Sequence, residues 1–255
     1  MRERERWKPS KYVMHGGKLR PSTDRGELAA SSRLIARLIA DKYQPAICEY
    51  ARGLMLDLGC GKVPFYETYR EHVIDNICVD WPSSTHGNRH VDMLCDLSRP
   101  LPFVDGSFDT ILSSDVIEHL PDPLLAFSEM SRLLRPGGIL LLNTPFLYML
   151  HEIPHDYYRF THYAIQRLAD VTGMETLQIE EIGGPGAVLT DLLSKALASL
   201  PFVGLPLSIA TQTLGGAFIR LSSDSPRKSR ALARFPIGYF LVARKRADTG
   251  SFGPP

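Results

Sequence analysis

The chain has 255 residues, the length of one domain or of one domain with an embellishment. Hydrophobic residues make up 44% and charged residues 22% of it, as in ordinary globular proteins. The 29 basic and 28 acidic side chains give a formal net charge of +1. So small a net charge argues against a broad basic surface for duplex nucleic acid, and we expect no nucleic-acid partner.

Two features of the sequence bear on the compartment in which the protein acts. Residues 1–6 are mostly charged and no apolar segment follows them, so we expect no secretory signal. The four cysteines show no C-x-x-C spacing; they are Cys48, Cys60, Cys78 and Cys95. We therefore expect reduced thiols in the cytoplasm rather than a disulfide framework or a zinc knuckle.

The N-terminal part of the chain divides into an arm and a helical segment. Residues 1–27 combine arginine, lysine, glycine and proline without apolar periodicity, which predicts a mobile arm. Apolar residues then recur at helical spacing, at Leu28, Leu34, Ile35, Leu38 and Ile39. Pro45 is expected to interrupt this helix, with a second short helix over residues 46–51.

Short apolar segments then alternate with helical patterns. We predict strands at 54–58, 74–80, 109–114, 138–143, 175–182 and 237–244, and the clearest helices at 124–134 and 161–171. Such alternation predicts βαβ units and a parallel sheet that helices cover on both faces. We therefore expect a single α/β domain over residues 28–246, with a frayed tail at 247–255.

The connection between the last two predicted strands, residues 184–236, is unusually long. It contains no charged residue from Ala196 to Ile219, but Pro201 and Pro206 break this apolar stretch. We therefore predict two helices that cap the domain rather than a membrane span. A competing interpretation is peripheral contact with an anionic membrane, because basic residues follow the apolar stretch. They are Arg220, Arg227, Lys228, Arg230 and Arg234.

Residues 57–61 read Asp-Leu-Gly-Cys-Gly, directly after a predicted strand. Glycines at this place let the backbone pass close to a ligand. Dinucleotide-binding loops carry a third glycine where this chain has Pro64, which argues against an NAD-dependent oxidoreductase. The carboxylate of Asp57 suits a cation instead, such as a ligand ammonium group.

Two further acids follow predicted strands. Asp80 lies about twenty residues after the glycines, where an acid can accept both hydroxyls of a ribose, and Trp81 beside it can lie against an adenine face. The carboxylate of Asp96 and the N–H of Leu97 can read the edge of adenine. A site for ammonium, ribose and adenine, with nothing for phosphates, describes S-adenosylmethionine.

These segments resemble the class I S-adenosylmethionine-dependent methyltransferases. They are most similar to the group that carries the motifs LPF-x-D-x-S-F-D and L-x-P-G-G, here residues 101–109 and 134–138. The resemblance covers about residues 54–182. It implies a Rossmann-like, seven-stranded and mostly parallel sheet with one antiparallel strand. The cofactor-binding residues that we predict are Asp57, Gly59, Cys60, Gly61, Asp80, Trp81, Asp96, Leu97 and Ser114.

The sequence indicates the acceptor of the methyl group less directly than it indicates the cofactor. Residues 113–116 read Ser-Ser-Asp-Val rather than Asn-Pro-Pro-Tyr, and the chain lacks the Pro-Cys pair of cytosine-carbon methylation. We therefore expect transfer to oxygen of a small-molecule, sugar or lipid-linked acceptor, with His119 or His155 as the base. The rival hypotheses are a non-catalytic S-adenosylmethionine-binding module and an NAD-dependent oxidoreductase.

A metal site is an open alternative near the same strand end. Asp115, Glu118 and His119 share one face if the segment turns helically, and two carboxylates with an imidazole can hold a divalent ion. This group is similar to one in some related O-methyltransferases, which implies His151 or His155 as a further ligand. The other interpretation is that Glu118 and His119 serve packing or cofactor contacts.

The loop that carries the later histidines is rich in polar and aromatic residues, which include Asp156, Tyr157, Tyr158 and Arg159. They could orient the base and form an aromatic wall. Equally, Arg159 could pair with an acid and the tyrosines could cover the edge of the sheet.

Overall fold

The structure, a computed structural model, describes residues 1–84, 87–221 and 234–247. Its strands are β1 (Tyr12–His15), β2 (Lys18–Pro21), β3 (Leu54–Leu58), β4 (Asp75–Asp80), β5 (Met93–Leu94), β6 (Phe108–Ser114), β7 (Leu134–Pro145), β8 (Met174–Ile182) and β9 (Gly238–Lys245). Its helices are α1 (Arg33–Tyr50), α2 (Tyr66–Tyr69), α3 (Pro123–Leu133), α4 (His162–Val171), α5 (Pro185–Ala198) and α6 (Gly204–Leu221).

Seven of these strands form the main sheet, in the order β5-β4-β3-β6-β7-β9-β8. β9 pairs antiparallel with both β7 and β8, and the other pairings of the sheet are parallel. The predicted fold class, with its seven strands and single antiparallel strand, is confirmed. The chain leaves β3 toward β4 and β5 and then returns to β6 on the other side. The carboxyl ends of β3 and β6 therefore border a topological switch point, where open α/β sheets bind ligands.

Helices cover both faces of the sheet, as predicted. On one face α1 buries Ile39, Tyr43 and Ile47 against the sheet residues Met55 and Leu141. On the other face, Phe127 of α3 and Ile165 of α4 pack with further sheet residues. Because both faces are buried, the central strands read as continuous apolar segments rather than alternating ones.

Contacts of Arg132 and Glu129 explain the motif at residues 101–109. Arg132 of α3 donates to the carbonyls of Leu101 at 3.1 Å and Phe103 at 2.8 Å, and it pairs with Glu129. Glu129 in turn accepts the N–H of Leu101 at 2.6 Å. The motif therefore fixes the entry into β6 against α3 and lies away from the switch point.

Residues 1–27 differ from the predicted mobile arm. β1 and β2 form an antiparallel hairpin whose Tyr12 is 1% exposed and whose Leu19 is 2% exposed. The N–H of Leu19 donates to the side chain of Gln44 in α1 at 2.9 Å. The signal is the pair Gly16-Gly17, since both glycines have positive φ and such pairs favour the tight turns of hairpins.

Pro45 does not interrupt the first helix, contrary to the sequence-based expectation. α1 runs through it from Arg33 to Tyr50. Tyr43, Ala46 and Ile47 on either side of the proline are buried in the core. Their packing offsets the loss of one helical hydrogen bond, which costs about 3 kcal/mol in an exposed helix.

The long connection contains the two helices that we predicted, α5 and α6, which pack against each other. A Cβ on Gly215 of α6 would lie 2.2 Å from the Thr190 hydroxyl of α5, so this glycine permits the close approach. Among the described residues, no helix has both the length and the apolar character needed to cross a membrane. Most of the predicted basic cluster, and the predicted tail from residue 248 onward, lie outside the described residues.

Candidate active site

One cavity of about 1020 Å³ opens at the carboxyl ends of β3, β4, β6 and β7. All the residues that we predicted to bind the cofactor line it: Asp57, Gly59, Cys60, Gly61, Asp80, Trp81, Asp96, Leu97 and Ser114. The two candidate bases, His119 and His155, line it as well. The fold therefore brings the predicted residues together in one place, and their individual roles stay predictions.

The glycine loop after β3 is held close to the strand-end loop after β6. Gly59 has a φ of 71°, and a Cβ there would lie 2.4 Å from the side chain of Val116. Only glycine fits that position. The next helix, α2, has only four residues, so the loop does not lead into the long helix N-terminus on which dinucleotide enzymes place a pyrophosphate.

Asp57 is a buried carboxyl group at the end of β3. Its side chain accepts a hydrogen bond from the Tyr69 hydroxyl at 3.1 Å, and the residue is 2% exposed. Burial raises the pKa of Asp57 to about 7, the neighbouring charge of Asp80 acts in the same direction, and the Tyr69 hydrogen bond opposes them. A cationic ligand group in the cavity would stabilise the ionised form.

Asp80 connects the end of β4 to the glycine loop. Its carboxylate accepts the N–H of Gly61 at 2.8 Å and the N–H of Trp81 at 2.8 Å. These hydrogen bonds place a carboxylate on the wall of the cavity beside the loop. The position agrees with a ligand hydroxyl as a further partner.

Asp96 and Trp81 border the other end of the same wall. The Asp96 carboxylate accepts the N–H and the hydroxyl of Ser98, at 3.0 and 2.8 Å, which lowers the pKa of Asp96. The ring of Trp81 meets the ring of His155 edge to face, with 5.0 Å between their centroids. The imidazole Nδ1 of His155 lies 3.1 Å from the Tyr157 hydroxyl.

The histidines and acids that could hold a metal separate into two groups. The Glu118 carboxylate lies 3.8 Å from Nε2 of His119 and 3.7 Å from Nε2 of His151. Asp115 does not join this group of described residues, because its carboxylate accepts the Asn143 amide at 2.6 Å. The ring of His155 does not join it either, although the His155 carbonyl accepts from Nδ1 of His119 at 2.9 Å.

Arg159 and Tyr158 stabilise the loop, in agreement with the structural interpretation of the sequence. Arg159 pairs with both oxygens of Asp156, at 2.5 and 2.6 Å, and donates to the carbonyl of Met149 at 2.9 Å. The Tyr158 hydroxyl donates to the carbonyl of Pro121 at 2.9 Å. Neither side chain lines the cavity.

Part of the cavity wall was not predicted from the sequence. Ser10 and Lys11 line it from the N-terminal hairpin region, and Ser32 and Ile35 line it from the start of α1. Tyr148, after β7, lies under the ammonium group of Lys195 in α5, 3.9 Å from the ring centroid. Only the Gly-Gly turn signalled the hairpin, and no motif marks the other residues.

The raised pKa of Asp57 leads to a pH dependence of stability. The pKa of an unfolded aspartate is about 3.8, so between about pH 3.8 and pH 7 the folded chain holds a proton that the unfolded chain has released. The free energy of unfolding should therefore contain a component that falls as the pH rises through this window. We expect urea unfolding across this range to show the component in the ligand-free chain and not in Asp57→Asn.

Asp41→Asn is the matched control, because Asp41 is an exposed aspartate of α1 whose partner is Arg37. It should retain the wild-type pH dependence. Equal slopes for wild type and Asp57→Asn would show that Asp57 has an ordinary pKa.

Comparison with known proteins supports the resemblance. The profile of a family described as "Methyltransferase domain" matches residues 56–142. An uncharacterized methyltransferase from Mycobacterium sp. (strain JLS) is 34% identical over 117 residues, which cover 42% of this chain and 45% of that protein. Another, from Mycobacterium marinum, is 34% identical over 131 residues, or 48% of this chain and 50% of that protein. The matched region thus spans about half the length of these curated relatives.

Solved structures share the fold at low sequence identity. A SAM-dependent methyltransferase from Archaeoglobus fulgidus has a TM-score of 0.53 and 19% identity, over 84% of this chain and 94% of that one. The [4+2]-cyclase SpnF has a TM-score of 0.56 and 18% identity, over 83% of each chain. Residues 56–142 thus match the methyltransferase-domain family, and the fold of the chain is that of known S-adenosylmethionine-dependent methyltransferases.

Proposed function

We propose that this protein transfers a methyl group from S-adenosylmethionine to an oxygen atom of a small-molecule, sugar or lipid-linked acceptor. The observation that carries the proposal is a cavity in which a glycine loop and strand-end acids lie beside imidazoles. The loop and acids suit the cofactor, and an imidazole suits removal of the hydroxyl proton.

The residues of the cavity wall support the assignment of this cofactor. The buried carboxyl of Asp57 suits the ammonium group, Asp80 suits the ribose, and Asp96 with Trp81 suits adenine. Ligand cavities commonly measure about 300–1000 Å³. At about 1020 Å³ the cavity leaves room for an acceptor beside the cofactor.

Methyl transfer requires little covalent chemistry from the protein. When bound, the cofactor supplies a methyl group on a sulfonium; the acceptor oxygen bonds to that carbon as the carbon–sulfur bond breaks. The side chains must align acceptor and methyl and take up one proton. Of the two histidines, we assign the proton to His155, because its ring lies on the cavity wall between Trp81 and Tyr157. Nε2 of His119 faces the buried carboxylate of Glu118 instead.

Calorimetry tests the cofactor part of the proposal. Wild-type protein should bind S-adenosylmethionine and S-adenosylhomocysteine but not NAD. Asp80→Ala should weaken binding of S-adenosylmethionine by about 1–3 kcal/mol, the usual effect of losing a hydrogen bond to a charged group. Asp41→Ala, on the surface of α1, should bind like wild type. Unchanged affinity in a folded Asp80→Ala would remove Asp80 from the ribose site, and binding of NAD alone would refute the proposal.

Turnover must be tested separately, because one fold supports many functions and a protein named a cyclase shares this one. Transfer of labelled methyl should be screened over hydroxylated small molecules, sugars and lipid-linked intermediates. Cofactor binding without turnover on any of them favours the non-catalytic alternative.

With an acceptor identified, we expect His155→Ala to lower kcat by about 10²–10⁴-fold while cofactor affinity stays near wild type. The increase of kcat/KM with pH that reports ionisation of the base should disappear as well. His72→Ala, an exposed histidine after α2, is the control and should keep full turnover. If kcat/KM still increases with pH in His155→Ala but no longer does so in His119→Ala, the base is His119 instead.

A lipid-linked acceptor is favoured by the surface of the helical pair α5–α6. Phe202, in the turn that joins the helices, is fully exposed, and its neighbours Leu200 and Val203 are exposed as well. Further exposed apolar side chains continue along both helices: Leu189, Leu192, Leu193, Leu205, Leu207, Leu214, Phe218 and Leu221. So large an apolar surface usually marks a contact with a membrane or another protein.

The same helical pair adjoins the cavity. The amide of Gln212 in α6 donates to the carbonyl of Ser31 and accepts the N–H of Leu34, next to the lining residues Ser32 and Ile35. The basic residues that follow α6 in the sequence complement an anionic surface. We therefore propose that α5–α6 lies on anionic lipid and that a lipid-linked acceptor reaches the cavity from there.

Sedimentation with vesicles tests this contact. Protein should sediment with phosphatidylglycerol vesicles, less as the salt concentration rises, and not with phosphatidylcholine vesicles. The double variant Leu200→Ser/Phe202→Ser should lose most of this binding. Ile74→Ser is the control, since Ile74 is equally apolar and 88% exposed elsewhere on the surface. Absence of vesicle binding, or a dimer in light scattering that the double variant dissociates, would contradict the membrane contact.

A further inference from the structure

Glu118, His119 and His151 form a cluster that the proposed transfer does not use. We infer that these three side chains bind one divalent transition-metal ion at the wall of the active-site cavity. One ligand atom from each lies within 4.8 Å of the other two. The inference rests on the proposed function only for the role of the ion, since binding of the metal requires neither cofactor nor acceptor.

Glu118 supplies the strongest observation. Its side chain is 0% exposed, and one carboxylate oxygen, Oε2, accepts the Thr144 hydroxyl at 3.2 Å. The other oxygen, Oε1, is buried and has no hydrogen-bond partner. Burial of a carboxylate oxygen without a hydrogen-bond partner costs free energy, so a bound cation would stabilise the site.

The two imidazoles point at this same oxygen. Oε1 lies 3.8 Å from Nε2 of His119 and 3.7 Å from Nε2 of His151. These separations are too long for hydrogen bonds. Ligands bonded at about 2.0–2.2 Å to one ion lie about 3–3.6 Å apart, so each of the two distances from Oε1 needs to shorten by only a few tenths of an ångström.

The imidazole of His119 is oriented through its other nitrogen. Nδ1 of His119 donates to the carbonyl of His155 at 2.9 Å, which leaves the lone pair on Nε2. Nδ1 of His151 lies 3.3 Å from the Asp156 carboxylate without a hydrogen bond, and that carboxylate instead accepts the backbone N–H of His151 at 2.9 Å. A carbonyl behind the ring, as at His119, is one of the supports that metal-binding histidines use.

The cluster joins two distant chain segments at the cavity. Glu118 and His119 lie in the short 3-10 helix Ile117–His119 after β6, and His151 lies in the loop after β7. Both imidazoles line the cavity. An ion there can offer open positions to an acceptor oxygen, and a hydroxyl bound to it loses its proton more readily.

The donor set also selects the kind of ion. Two imidazole nitrogens and one carboxylate suit zinc, iron, cobalt or manganese, whereas magnesium prefers oxygen ligands alone. Asp115, which would have made the set richer in oxygen, is instead held by the amide of Asn143. We therefore expect Zn²⁺ and Mn²⁺ to bind and Mg²⁺ to bind far more weakly.

Metal binding can be measured on the full chain after dialysis against a chelator, without cofactor. Titration calorimetry with ZnCl₂, MnCl₂ and MgCl₂, with elemental analysis after desalting, should show one bound Zn²⁺. Glu118→Gln and His151→Ala should lose it. Asp156→Asn removes a negative charge 3.3 Å from Nδ1 of His151 and should weaken Zn²⁺ binding. His72→Ala is the matched control and should bind like wild type.

A spectroscopic readout separates this site from adventitious binding by cysteines. The Co²⁺-loaded chain should show visible absorption without the intense charge-transfer band of a thiolate ligand. His151→Gln replaces His151→Ala if the latter fails to fold by circular dichroism. A thiolate band, no stoichiometric metal, or equal affinity in wild type and the Glu118 and His151 variants would overturn the inference.

The proposed methyl transfer and the proposed metal site can be refuted independently of each other. Protein that binds S-adenosylmethionine but no metal refutes the metal site and leaves the proposed methyl transfer. Protein that binds one Zn²⁺ but neither S-adenosylmethionine nor S-adenosylhomocysteine refutes the proposed transfer and leaves the metal site.

Discussion

Parallel pairing of β3 with β4 and β6 is the constraint on which the site depends. The register places Leu58 beside Val79 and Asp57 beside Leu112, so the three strands end at one edge of the sheet. The loops that leave this edge must then share a small space. Gly59 allows the two loops to lie this close, because a Cβ at that position would overlap with the side chain of Val116. The fold thereby creates a cavity whose walls are strand-end side chains and loop backbone.

Burial of charge is the recurring electrostatic feature of this cavity. Burial raises the pKa of Asp57, and burial likewise raises the pKa of Glu118. Each of these carboxyl groups opposes folding when it is ionised without a cation. A ligand ammonium at the first and a metal ion at the second would each relieve that cost. Binding of either cation should therefore stabilise the folded chain.

The cavity has two halves of different origin. Residues 56–142, which match the methyltransferase family, supply the glycine loop and the strand-end acids. Lys11, Tyr148 and His151 lie outside that match and also line the cavity. The first group of residues suits the cofactor, and the second would lie beside an acceptor under the proposed function. The α5–α6 pair, which contacts Ser31 and Leu34 beside this second group, carries an exposed apolar surface.

The sequence by itself determined the parallel sheet and the half of the cavity that suits the cofactor. Strands buried on both faces read as apolar segments, and acids and glycines follow them directly, so local pattern sufficed. Only the tertiary structure decided that Pro45 stays within α1, because core packing outweighs local propensity. Only the tertiary structure decided that His151, rather than Asp115, completes the candidate metal site with Glu118 and His119. The reason is that the sheet brings together two loops that are far apart in sequence. A sequence motif shows only residues that are close along the chain, whereas the ligands of a metal ion are residues that the fold brings close in space.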